Sequence, residues 1–128
     1  MIYPSNFESK IGFDRIRALI AERCNTEAAR AKLDEHRFSS RREVVENRIA
    51  SADEMRTIIQ MEHEFPNEEF CDITALIAKV RVEGTFLDLE EAVLLARALR
   101  QVDAISRFIR SRERAVYPTL HRLTEDVI

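Results

Sequence analysis

From Phe38 to Phe65 the chain contains neither glycine nor proline, and the same holds from Thr85 to Tyr117. A fold that turns every ~8–12 residues needs turn formers at that spacing, and the 128 residues hold only two glycines, Gly12 and Gly84, and three prolines. Ala, Leu, Glu and Arg fill the long stretches, and all four are strong helix formers because they lose little rotamer freedom on a helix. The chain is therefore expected to be all-α: an irregular bundle of about six helices, two of them long, in a single domain over 1–128.

Local signals divide the chain further. A short turn over 5–11, with Ser5 or Asn6 as its cap, is closed by Gly12. Phe13, Ile16, Leu19 and Ile20 then share one helical face. Asn25 or Thr26 restarts the chain into a second helix, EAARAKLDEH. Ser40 precedes Glu43 by three residues, the spacing of a capping box, and opens a helix over about 41–64, roughly 35 Å long. Its buried stripe is expected to be Val45, Ile49, Ala52, Met55 and Ile59. Asp72 is placed to cap a helix over about 73–82, with Gly84 as the left-handed residue that ends it. Asp88 and Glu91 form an acidic capping box for a helix over about 89–112, with Leu95, Ala98, Val102, Ile105 and Ile109 inward. Pro118 opens a last helix, 119–128, whose pattern of Leu120, Leu123 and Val127 is still periodic at the final residue. That ending suggests a fragment of a longer chain.

With 45% hydrophobic and 34% charged residues the chain is globular rather than disordered, and at this length it should bury roughly two-thirds of the surface it exposes when unfolded. A net charge of −3 gives the whole chain no nucleic-acid footprint. Cys24 and Cys71 lack CxxC spacing, which points to a reducing compartment, the cytoplasm. The opening MIYPSNFESK has no apolar signal-peptide core, and no window approaches the ~18 apolar residues of a membrane span. His36, His63 and His121 have no His or Cys three or four residues away, so no helical metal motif arises. Neither a Gly-rich phosphate loop nor a G-x-S-x-G elbow occurs. No catalytic, cofactor or metal residue is assigned, and the chain is expected not to be an enzyme.

Arg97, Arg100, Arg107, Arg110 and Arg114 fall within about 140° of arc on a helical wheel, interrupted by Asp103. Such a stripe is either a solvated face or a phosphate-contacting surface for DNA or RNA. No aromatic residue interleaves it, which argues against stacking on single strands.

Three stretches in order resemble the N-terminal region of one family. NFESKIGFDRIRALIAERCNTEAARAKL has an apolar-E-x-K-I start, a helix, a Cys-x-Thr turn and a small-residue helix; VENRIASADEMRTII is similar to an acidic lever segment; FCDITALIAKVRVEGTFLDLEEAVLLARAL closes the series. Ala29 stands where such proteins tend to have glycine. The family is the bacterial MutS paralogue subfamily that carries a C-terminal Smr nuclease domain. The resemblance implies a parent that is a homodimeric, DNA-binding ATPase and endonuclease, using ATP and Mg, acting on branched or duplex DNA to suppress homologous recombination, and acting on stalled or collided ribosomes. It implies that this chain is a core segment docking onto the rest of its own polypeptide, with no membrane contact. The alternative from the residues alone is a free-standing helical adaptor for protein partners.

Overall fold

Every regular element that the computed structural model describes is a helix; it describes residues 4–67, 70–125 and 127. In chain order these are α1 (Phe7–Lys10), α2 (Phe13–Ala21), α3 (Glu27–Glu35), α4 (Arg42–Met61), α5 (Thr74–Val80), α6 (Leu89–Ser111) and α7 (Pro118–Thr124). The fold is the expected all-α, irregular bundle with two long helices, α4 and α6. The expected extension of α7 to 128 is not found: the helix stops at Thr124, and Asp126 and Ile128 lie outside the described residues.

Caps set the boundaries. Thr26 begins α3, its hydroxyl accepting from Ala29 N at 3.1 Å. Asp88 and Glu91 form the reciprocal box at the start of α6: Glu91 N donates to Asp88 Oδ1 at 2.9 Å and Asp88 N to Glu91 Oε2 at 3.0 Å. Lys79 Nζ at the end of α5 closes on the same Glu91 carboxylate at 2.6 Å, stapling the two helices. Gly12, at φ 75, closes the turn after α1 and starts α2.

Three local expectations are corrected. The Ser40–Glu43 box does not form: Arg41 is the N-cap of α4, with no side-chain cap, and its N–H is taken by Ser39 Oγ. Asp72 precedes the N-cap Ile73 yet still serves the helix, through Thr74 N. Gly84 is not the residue that ends α5, since that helix already stops at Val80. At φ 82 it is the third residue of a turn closed by Thr85 N to Val82 O, a position that demands positive φ in a type II turn.

α7 packs against both α4 and α6 and holds the core between them. Ile58 of α4, Phe108 and Ile109 of α6, and Tyr117 and Leu120 at the start of α7 are buried together, with Met55, Phe65 and Ile105 against them. Phe65 meets Phe108 edge to face at 5.3 Å. The N-terminus of α7 would present free N–H groups to this interior; Glu54 of α4 accepts from Thr119 N at 3.0 Å and Leu120 N at 2.8 Å. At the other end of the molecule α2 packs on α1 and α3, and Arg17 donates to Leu33 O at 2.5 Å and His36 O at 2.8 Å.

Of the stripe expected to be buried on α4, Met55 packs against the core, while Val45, Ile49 and Ile59 are exposed. Ile58 is 0% exposed, while Ile49 is 63% and Ile59 69% exposed. α4 carries apolar residues on two faces, 100° per residue apart at Ile58 and Ile59, and the face bearing Glu54 wins because it also supplies the carboxylate that α7 needs. On α6 the expected stripe holds at Ala98, Ile105 and Ile109 but not at Val102, which is exposed; Gln101 is buried instead, donating to Pro66 O at 2.7 Å. In α7, Leu123 is exposed and Thr119 and Thr124 are buried.

The accessible surface is 10389 Å², against about 7,000 Å² for a typical folded monomer of this mass. Only about half of the extended chain's surface is removed from water, not the expected two-thirds. The bundle is open.

Candidate docking surfaces

Two apolar surfaces stand out on the open bundle. The first is a cleft of about 320 Å³ between α2, α3 and α4, lined by Phe13, Ile20, Leu33, Phe38, Val45 and Ile49. Here the second face of α4 looks across at the apolar side of α2, and nothing described fills the space between. Arg17, Arg37 and Arg48 stand around the cleft with Glu8. Arg48 Nη1 donates to the Arg37 carbonyl at 2.8 Å, and Arg17 pairs with Glu8 at 3.2 Å and stacks over Phe13 at 5.5 Å.

The second is the outward face of α6. Leu89, Val93, Ala96, Arg100, Asp103 and Arg107 follow one another at offsets of 0, 4, 7, 11, 14 and 18, a single line along the helix. The first three turns of the line are apolar: Leu89 is 80% exposed and Val93 52%, with Leu99 beside them at 57%. The remaining turns carry two arginines, Arg100 and Arg107, with Asp103 between them.

The arginine stripe read from the sequence is thereby divided. Arg97 and Arg100 have no side-chain partner among the described residues, and Arg107 Nε pairs with Asp103 at 3.0 Å while staying largely exposed. Arg110 and Arg114 point elsewhere: Arg110 donates to the carbonyls of Thr124, at 2.6 Å, and Val127, and Arg114 pairs with Glu125. Both fasten the end of α7, where carbonyls lack helical donors.

A third cluster was not legible in the sequence, because its members come from positions 50 and 55 residues apart. Arg112, just beyond α6, pairs with Glu62 at 3.0 Å and stacks on Phe108 at 4.5 Å. Tyr117 OH donates to Glu62 at 3.2 Å. Burial, and then the Glu62 carboxylate, push the Tyr117 hydroxyl above its ordinary range, so it stays protonated; the Glu62 hydrogen bond raises Arg112. His121 Nε2 donates to the Arg112 carbonyl at 3.0 Å, and His36 and His63 are exposed. Such an arrangement locks charges in place and lacks a nucleophile beside a base. It is a joint between α4, α6 and α7.

Cys24 and Cys71 are free and half-buried. Among the described residues no group of three His, Cys, Asp or Glu side chains could hold a metal ion, and no helix is long and apolar enough to cross a membrane. No family model, curated protein or solved structure matches this chain.

Proposed function

We propose that this chain is a non-catalytic helical docking module: the core segment of a MutS-like DNA-binding ATPase and endonuclease that suppresses homologous recombination and acts on stalled or collided ribosomes. The docking part of the reading is carried by one observation, the excess of roughly 3,000 Å² of accessible surface over a typical monomer, rich in exposed Ile, Leu, Val and Phe. Apolar side chains gathered on one surface mark places that another polypeptide covers, and the α2–α3–α4 cleft gathers six of them. The family part is supported by the ordered resemblance of the three stretches. In this reading ATP and Mg, the homodimer contact and the nuclease chemistry belong to the clamp, ATPase and Smr parts, and this segment supplies their helical support in the cytoplasm.

The test is direct. Reading the genomic frame past Ile128 should reveal a Walker A motif and a Smr domain in the same polypeptide. Hydrogen exchange on that longer chain should then show α2 and the first half of α6 protected relative to residues 1–128 alone. A frame that closes after Ile128 would assign the docking faces to a separate partner protein and make the chain a free-standing adaptor.

A further inference from the structure

We infer that the outward face of α6 is the seat of one antiparallel amphipathic helix, acidic in its first turns and apolar in those that follow. The inference rests on the docking reading and deepens it by specifying the occupant. The line Leu89, Val93, Ala96, Arg100, Asp103, Arg107 is apolar for half its length and carries two arginines and one aspartate in the other half, so its complement must be apolar opposite Leu89 and Val93 and anionic opposite Arg100 and Arg107. Asp103 stands in the line between the two arginines, but it is already held by Arg107 Nε, which leaves both Nη groups of Arg107 to receive a carboxylate.

Direction follows from the helix dipole. An antiparallel partner places its N-terminal turns against the basic half, and carboxylates in a helix's first turns are favoured by its own macrodipole. A parallel partner would need its carboxylates in the last turns, against that dipole. A second copy of the same face is a poor occupant: parallel pairing stacks arginine on arginine, and antiparallel pairing sets each apolar half against the other's arginines. Nucleic acid would satisfy Arg100 and Arg107 and leave Leu89 and Val93 in water.

The probe is a synthetic helix of about 20 residues, long enough to span α6, with glutamates on one face of its first turns and leucines on the same face thereafter. A control has identical composition with the two halves exchanged, and another has lysine for glutamate. Fluorescence anisotropy should show residues 1–128 binding the acid-first probe at least about tenfold more tightly than either control. Joint Arg100→Glu and Arg107→Glu substitution should transfer the preference to the lysine-first probe, and Val93→Asp should abolish binding of both. These side chains are exposed, and replacing the probe's glutamates by glutamine gives the charge test with the protein untouched.

Equal affinity for the exchanged-half probe would overturn the inference. So would dimerisation of the chain abolished by Val93→Asp, which gives the face to a second copy, or displacement of the probe by duplex DNA with an affinity that Val93→Asp leaves unchanged. Failure of the docking reading looks different: the chain would bind neither the probes nor a hydrophobic dye. Dye binding with no discrimination between probes removes only the partner proposed here.

Discussion

Asp72 shows how much one side chain can organise. Its Oδ1 accepts from Thr74 N at 3.0 Å and its Oδ2 from Glu27 N at 2.7 Å, so a single carboxylate serves the starts of both α5 and α3. The Thr74 backbone hydrogen bond, then its hydroxyl and the Glu27 backbone, hold the Asp72 carboxyl below the usual carboxylate range. A carboxyl depressed in the folded state stabilises it above the unfolded pKa, about 4, and loses that contribution as pH falls through the lower folded value. Asp72→Ala should therefore lower Tm at neutral pH, and the gap from the parent should close in strong acid; thermal melts followed by circular dichroism check it, and a gap that persists unchanged to about pH 2 would show that the carboxylate is not its source. Glu54 plays the related role for α7. Glu54→Ala leaves the N–H groups of Thr119 and Leu120 without their acceptor and should cost about 1–2 kcal/mol in urea unfolding, with Glu54→Gln, which keeps one oxygen, between the two.

Among the elements, α4 carries the sharpest expectation. Ile58→Ala should destabilise by about 2–5 kcal/mol because a fully enclosed side chain is removed, whereas Ile59→Ala, its neighbour and 69% exposed, should stay within about 0.5 kcal/mol. The reverse order in denaturant unfolding would restore the Val45–Ile59 stripe as the core. The helices themselves were legible because their signals are local: no breaker between Phe38 and Phe65, and Asp88 three residues from Glu91. Which face of α4 turns inward was not, since the deciding partner, the N–H groups of α7, lies 65 residues away. Ser40 misled because the chain is still extended at Arg41, φ −80 and ψ 112, which makes Arg41 the N-cap and puts Val44 rather than Glu43 at the third helical position. The joint of Glu62, Arg112 and Tyr117 left no spacing to read. Of the arginine stripe, the wheel correctly grouped Arg100 with Arg107 but could not show Arg110 and Arg114 turning to the end of α7.

At the scale of the whole molecule, openness is a measurable property. A compact chain of 128 residues has a radius of gyration of about 14 Å, and small-angle scattering of a monodisperse sample should return a larger value. A measured radius at the compact value would mean that the α2–α3–α4 cleft closes in solution. The same openness goes with a core that is thin for the chain's length: among the described residues, five are buried together where α4, α6 and α7 meet, and many other apolar side chains stay exposed.

The distance along the chain from Glu54 to Thr119 also has a temporal meaning. During synthesis at about 5–20 residues per second, Glu54 is made roughly 3–13 s before Thr119, the start of the helix that completes the cover over Ile58. For that interval Met55 and Ile58 belong to a nascent helix that lacks its α7 neighbours Tyr117 and Leu120, the kind of segment that chaperones hold. Arrival of Pro118 and the N–H groups behind it ends the wait, so translation speed through α5 and α6 governs how long the growing chain stays vulnerable to mispairing.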